Sequence, residues 1–76
     1  MSIARLRIFL AVARHASFSA GARAIGLSQP TATTLVQGLE RDFNIELFHR
    51  RGRRIELTAV GRALLPVAQQ MSMLEN

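Results

Sequence analysis

Residues 17–44 read SFSAGARAIGLSQPTATTLVQGLERDFN, and the fold turns on how this stretch divides. Gly26 suits the left-handed position that closes a helix, and Leu27 after it can make a hydrophobic contact back onto that helix. Upstream, Ser19 is an N-cap candidate for a brief helix over 20–25. Downstream, Ser28 or Gln29 caps a longer helix whose first turn tolerates Pro30, because backbone donors have no partner there. At about 100° per residue, Ala32, Leu35, Val36, Leu39 and Phe43 share one apolar arc. The opposite face carries Pro30, Thr34, Gln37 and Arg41, flanked by Thr33 and Gly38, and Asn44 can end the helix in the left-handed conformation. Two helices joined by a Gly-containing turn, the second polar on its outer face, make a helix-turn-helix.

The flanks extend this unit. Ile3, Leu6, Phe9, Leu10, Ala13 and Ala16 follow helical spacing and predict a first helix over 2–15. Leu47-Phe48 and Ile55-Glu56-Leu57 bracket HRRGRR at 49–54, a short hairpin with a basic tip turned at Gly52. A hairpin after a helix-turn-helix is the winged variant. Thr58 then caps a fourth helix in which Val60, Leu64, Val67, Met71 and Leu74 repeat in an a/d pattern, with Pro66 expected to kink it or leave one carbonyl unpaired. The expected architecture is mostly α: a three-helix core with a hairpin wing over 1–58, and a further helix with a seam suited to dimerisation over 59–76. Phe9, Phe18, Phe43 and Phe48 fall on apolar faces and read as core. His15 and His49 read as surface residues, and Glu40 as one half of an ion pair with an Arg.

Composition narrows the chemistry. The chain has 76 residues, room for one small domain. It has no Cys and two His, which excludes disulfides, thiolate nucleophiles and Cys-based zinc sites. With no nucleophile–base or metal constellation, neither catalytic residues, metal ligands nor cofactors are expected, and an enzyme is a poor fit. Ten Arg and no Lys against five acids give a net charge of +5. Such an excess suits a polyanionic partner, nucleic acid or an anionic membrane surface, although Arg in place of Lys also fits a bias in base composition. No apolar run approaches a transmembrane span of about 18 residues, and the N-terminus lacks a secretory signal, so a cytoplasmic protein is expected.

Leu6, Phe9, Val12, Ala13, Ser17-Phe18, Ala22, Ser28-Gln29-Pro30, Leu39-Glu40, Leu47-Phe48, Arg50, Arg53, Leu57-Thr58 and Gly61 occur in an order and spacing that carry a family likeness. On these residues the chain resembles the N-terminal domain of LysR-type transcriptional regulators. The resemblance implies a winged helix-turn-helix that binds double-stranded operator DNA, and a linker helix leading to an effector-binding domain absent from these 76 residues. It also implies a dimer on an interrupted palindrome, usually assembled further into a tetramer, and a small-molecule effector bound only by the missing C-terminal domain. Gly21, Gly38, Thr31, Thr33, Thr34, Asn44 and Glu56 depart from the usual family residues.

For a major groove read by the third helix, Gln29 is the first candidate, since its amide can bond adenine through two edges; the plainer reading is a cap or a phosphate contact. Pro30 offers an apolar face to a thymine methyl, or simply starts the helix. Thr31, Thr33 and Thr34 suit phosphates and base edges, or are merely solvated. Ser28 caps the helix with a phosphate in reach, and Gln37 and Arg41 lie where backbone contact is expected. Arg53 at the wing tip suits a narrow minor groove, Arg50 suits the phosphate backbone or braces the hairpin, and Arg54 belongs to the same DNA-binding basic run. The dimer is assigned to Val60, Leu64, Val67, Met71 and Leu74, with the alternative that some of them, Val60 above all, cover the chain's own core instead. Two rivals remain: a membrane-surface binder, which predicts free apolar faces, and a basic protein-interaction module.

Overall fold

The computed structural model describes residues 2–74. In chain order the elements are α1 (Ile3–His15), α2 (Phe18–Ala24), α3 (Gln29–Phe43), β1 (Phe48–Arg51), β2 (Arg54–Leu57) and α4 (Ala59–Leu74). Glu75 and Asn76, the last residues of the expected linker helix, lie outside the described residues.

Helix α1 is the axis of the domain because it is apolar on two sides. Leu6 and Phe9 face Leu39, Leu47 and Ala68, while Ile8 and Val12 face Ala22, Ala32 and Val36. The first cluster joins α1 to α4 and the base of the wing; the second joins it to the helix-turn-helix. Phe48 seals the two together. Its ring centroid lies 5.6 Å from those of Phe9 and Phe18, in tilted and edge-on arrangements that aromatic quadrupoles favour. Where α2 crosses α1, a Cβ on Gly21 would stand 2.7 Å from the Val12 backbone, so glycine at this position matches a close helix approach.

Capping differs from the sequence expectation at α2. Ser17, extended at φ −161°, accepts the Ala20 N–H at 3.0 Å, so α2 begins at Phe18 and Ser19 is not its cap. The earlier start lays the Phe18 ring against Phe48. Helix α1 ends one residue before, at Ala16 in the left-handed conformation (φ 51°), with no glycine to announce it. The α2–α3 turn follows the expected pattern: Gly26 has φ 73°, and the Leu27 N–H reaches back to the Ala22 carbonyl at 2.8 Å. Ser28, not Gln29, caps α3 by accepting the Thr31 N–H at 3.3 Å. Asn44 is left-handed at φ 52°, as expected.

Two expectations at the end of α3 need correction. Phe43 is 51% exposed, because it opens onto a groove shared with Val60 and Val67 that no described residue closes over. Glu40 does not pair with an arginine; its carboxylate accepts the Leu47 backbone N–H at 2.7 Å. Strands β1 and β2 pair antiparallel with Phe48 opposite Leu57 and Arg50 opposite Ile55. Thr58 caps α4 by accepting the Gly61 N–H at 3.0 Å. The helix runs unbroken through Pro66, and Pro66 is exposed, so water can reach the Arg62 carbonyl that loses its partner.

Candidate nucleic-acid interface

Inward anchoring by Ala32, Val36 and Leu39 forces the other face of α3 out. Pro30, Thr31, Thr34, Gln37 and Arg41 are exposed along it, and Thr33 is half-buried toward the wing. Ser28 is spent on the cap and also donates its hydroxyl hydrogen to Thr31 Oγ1 at 2.9 Å. Gln29 is free of capping duty. Its Oε1 accepts the Ser19 hydroxyl at 3.1 Å, a contact between α2 and α3 that no sequence pattern announced, since it depends on the angle of the turn.

Strand alternation sorts the wing arginines. Phe48, Arg50, Ile55 and Leu57 share one face, and His49, Arg51, Arg54 and Glu56 the other. Arg50 therefore stands beside α3, over a cleft of about 290 Å³ that it lines with Gln29, Thr33 and Gln37. Arg51 donates to Glu56 Oε1 at 3.3 Å, with His49 Nε2 3.7 Å from the same oxygen, so Glu56 offsets positive charge on the outer face. Arg53 occupies the two-residue turn beside Gly52, whose φ is 64°; Arg53 itself is not left-handed, the sign pattern of a II′ hairpin turn. Arg54 is exposed on the outer face, apart from Arg50. Of the expected contact residues, then, Gln29, Thr33, Gln37 and Arg50 converge on one cleft. Pro30, Thr31, Thr34 and Arg41 lie along the outer side of α3, Arg53 at the tip and Arg54 behind it.

The expected seam on α4 divides. Leu64 and Met71 pack against the Leu6, Phe9 and Leu39 cluster, whereas Val60 is 45% exposed, Val67 49% and Leu74 87%. Val60 is thus the reverse of a core residue. Together with Phe43, Ile45 and Ala63, Val60 and Val67 line an open apolar groove of about 440 Å³. Among the described residues no group of three or more His, Asp or Glu could hold a metal ion, and no helix is long and apolar enough to cross a membrane.

Residues 3–62 match the family model of the bacterial regulatory helix-turn-helix proteins, lysR family. The chain belongs to the lysR family. Among lysR-family relatives, the transcriptional regulator TfdT of Cupriavidus pinatubonensis is 42% identical over 93% of this chain and 31% of its own length. ClcR of Pseudomonas putida is 41% identical over 93% of this chain and 24% of its own. The chain thus spans under a third of these two regulators. Among solved structures, the DNA-binding domain of CbnR in complex with DNA superposes with a TM-score of 0.92 at 39% identity, covering 99% of this chain and 86% of that one. The BenM DNA-binding domain bound to its catB site 1 DNA gives 0.88 at 30% identity, covering 93% and 79%.

Proposed function

We propose that this chain binds double-stranded DNA sequence-specifically as the DNA-binding part of a transcriptional regulator. In this reading α3 enters the major groove and presents Gln29, Pro30, Thr33 and Thr34 to base edges. Ser28, Thr31, Gln37, Arg41, Arg50 and Arg54 hold phosphates, and Arg53 reaches the minor groove. Phosphate contacts set register, and the groove-facing side chains set preference. Residues 1–58 form the contact unit, and the segment over 59–76, which contains α4, pairs two copies on an interrupted palindrome. Val60, Val67 and Leu74 supply the free part of that seam, while Leu64 and Met71 brace it from the core side.

The observation that carries this reading is the polar, arginine-flanked face of α3 on a fold that superposes at 0.92 on a domain solved with DNA. No catalysis is required by it. A site of action in the cytoplasm follows from DNA as the target, and any small-molecule effector acts through a domain other than this one. Lipid binding is disfavoured, since most of the apolar surface of α1, α2 and α3 is packed together and the exposed strip beside Phe43 and α4 is assigned to a second copy. Selection of duplexes from a randomised pool by the chain tests the proposal. An inverted repeat with a spacer is expected; recovery of no common sequence would refute it.

A further inference from the structure

Ser19 is the second residue of α2, and the cap of that helix is already made by Ser17. Its hydroxyl instead crosses the turn and donates to Gln29 Oε1 at 3.1 Å. Gln29 is exposed, and several rotatable bonds separate its amide from the backbone. An unrestrained glutamine loses that freedom on touching a base; one already held has less to lose. A carboxamide oxygen has two lone pairs. Ser19 takes one, leaving the second lone pair and the NH₂ group for the N6 and N7 edge of an adenine.

We infer that Ser19 is a positioning residue for base readout, holding the Gln29 amide at the start of α3 in the orientation that meets a base edge. This rests on the proposal that Gln29 reads a base pair. Ser19 acts through Gln29 and not through a phosphate of its own, so its contribution exists only while the amide is there to be held.

The test is a double-mutant cycle read as discrimination, the ratio of affinities for a selected duplex and for the same duplex with one base pair exchanged. That pair is the one at which Gln29→Ala removes the preference. Ser19→Ala is expected to lower the ratio roughly three- to tenfold, the worth of one net hydrogen bond. Ser19→Thr, which keeps the hydroxyl, is expected to retain most of it, and neither variant to change the thermal midpoint or the salt slope on scrambled DNA. In the Gln29→Ala background, Ser19→Ala should change nothing further. An equal loss with and without Gln29, or on selected and scrambled duplexes alike, would overturn the inference and leave the Gln29 reading intact. If Gln29→Ala alters preference at no position, the base-readout reading fails and takes the inference with it.

Discussion

The Glu40 carboxylate accepts the Leu47 backbone N–H at 2.7 Å, tying the last turns of α3 to the entry of the wing. Leu47 is fully buried, and its carbonyl accepts the Thr58 N–H at 3.0 Å, so both backbone polar groups of this residue are bonded. One acidic side chain therefore helps to hold the hairpin at its angle to α3, beside the packing of Phe48. Glu40→Ala strands a part-buried donor and is expected to cost about 1–3 kcal/mol in urea denaturation. Glu40→Gln keeps an acceptor oxygen and should cost clearly less. Equal losses would mean that charge, not the hydrogen bond, holds the wing.

Ala16 carries a left-handed backbone that an L side chain disfavours. Ala16→Gly relieves the Cβ clash at the price of a looser unfolded chain, and a net gain of up to about 1 kcal/mol is expected. A lower denaturation midpoint would contradict the α1 cap geometry.

Much of this was legible in the residues. Gly26, Leu27, Ser28 and Asn44 punctuate the chain where the structure does, because caps and left-handed positions are local chemistry. The inward face of α3 followed from spacing alone, except at Phe43. Periodicity says which way a residue points but not whether its neighbours close over it, and at Phe43 the groove beside α4 stays open. The same limit explains α4: one a/d stripe holds residues turned to the chain's own core (Leu64, Met71) and residues turned away (Val60, Val67). Ser17 and Ser19 are equivalent as cap candidates until the left-handed turn at Ala16 fixes which is extended. Glu40 and Ser19 were misread for a common reason, since both bond across elements whose relative angle no local pattern encodes.

The outward strip of α4 predicts how two copies meet. Val67→Asp with Leu74→Asp places charge on that strip without touching Leu64 or Met71, whereas a change at Met71 would also disturb the core. The double variant is expected to keep its denaturation midpoint, to sediment as a monomer at high concentration, and to lose the gain from two linked half-sites. A persistent dimer that still prefers the full palindrome would place the interface elsewhere.

The wing arginines should not be interchangeable. Arg53 stands at the turn, whereas Arg51 is already engaged by Glu56. Arg53→Ala is expected to weaken binding and to relax A·T preference at the outer edge of the site, as removal of a minor-groove arginine does. Arg51→Ala should have the smaller effect. The opposite order, in a fluorescence-anisotropy titration of both variants, would overturn the assignment of the minor-groove contact to Arg53.

The central claim is tested most directly by titrating the chain onto a selected and a scrambled duplex across a salt series, with Gln29→Ala in parallel. Log affinity is expected to fall linearly with log salt on both duplexes, by about 0.9 per neutralised phosphate. Gln29→Ala is expected to lose roughly 1–3 kcal/mol on the selected duplex and far less on the scrambled one. Binding indifferent to salt would contradict the electrostatic half of the account, and equal losses on the two duplexes would contradict base readout by α3.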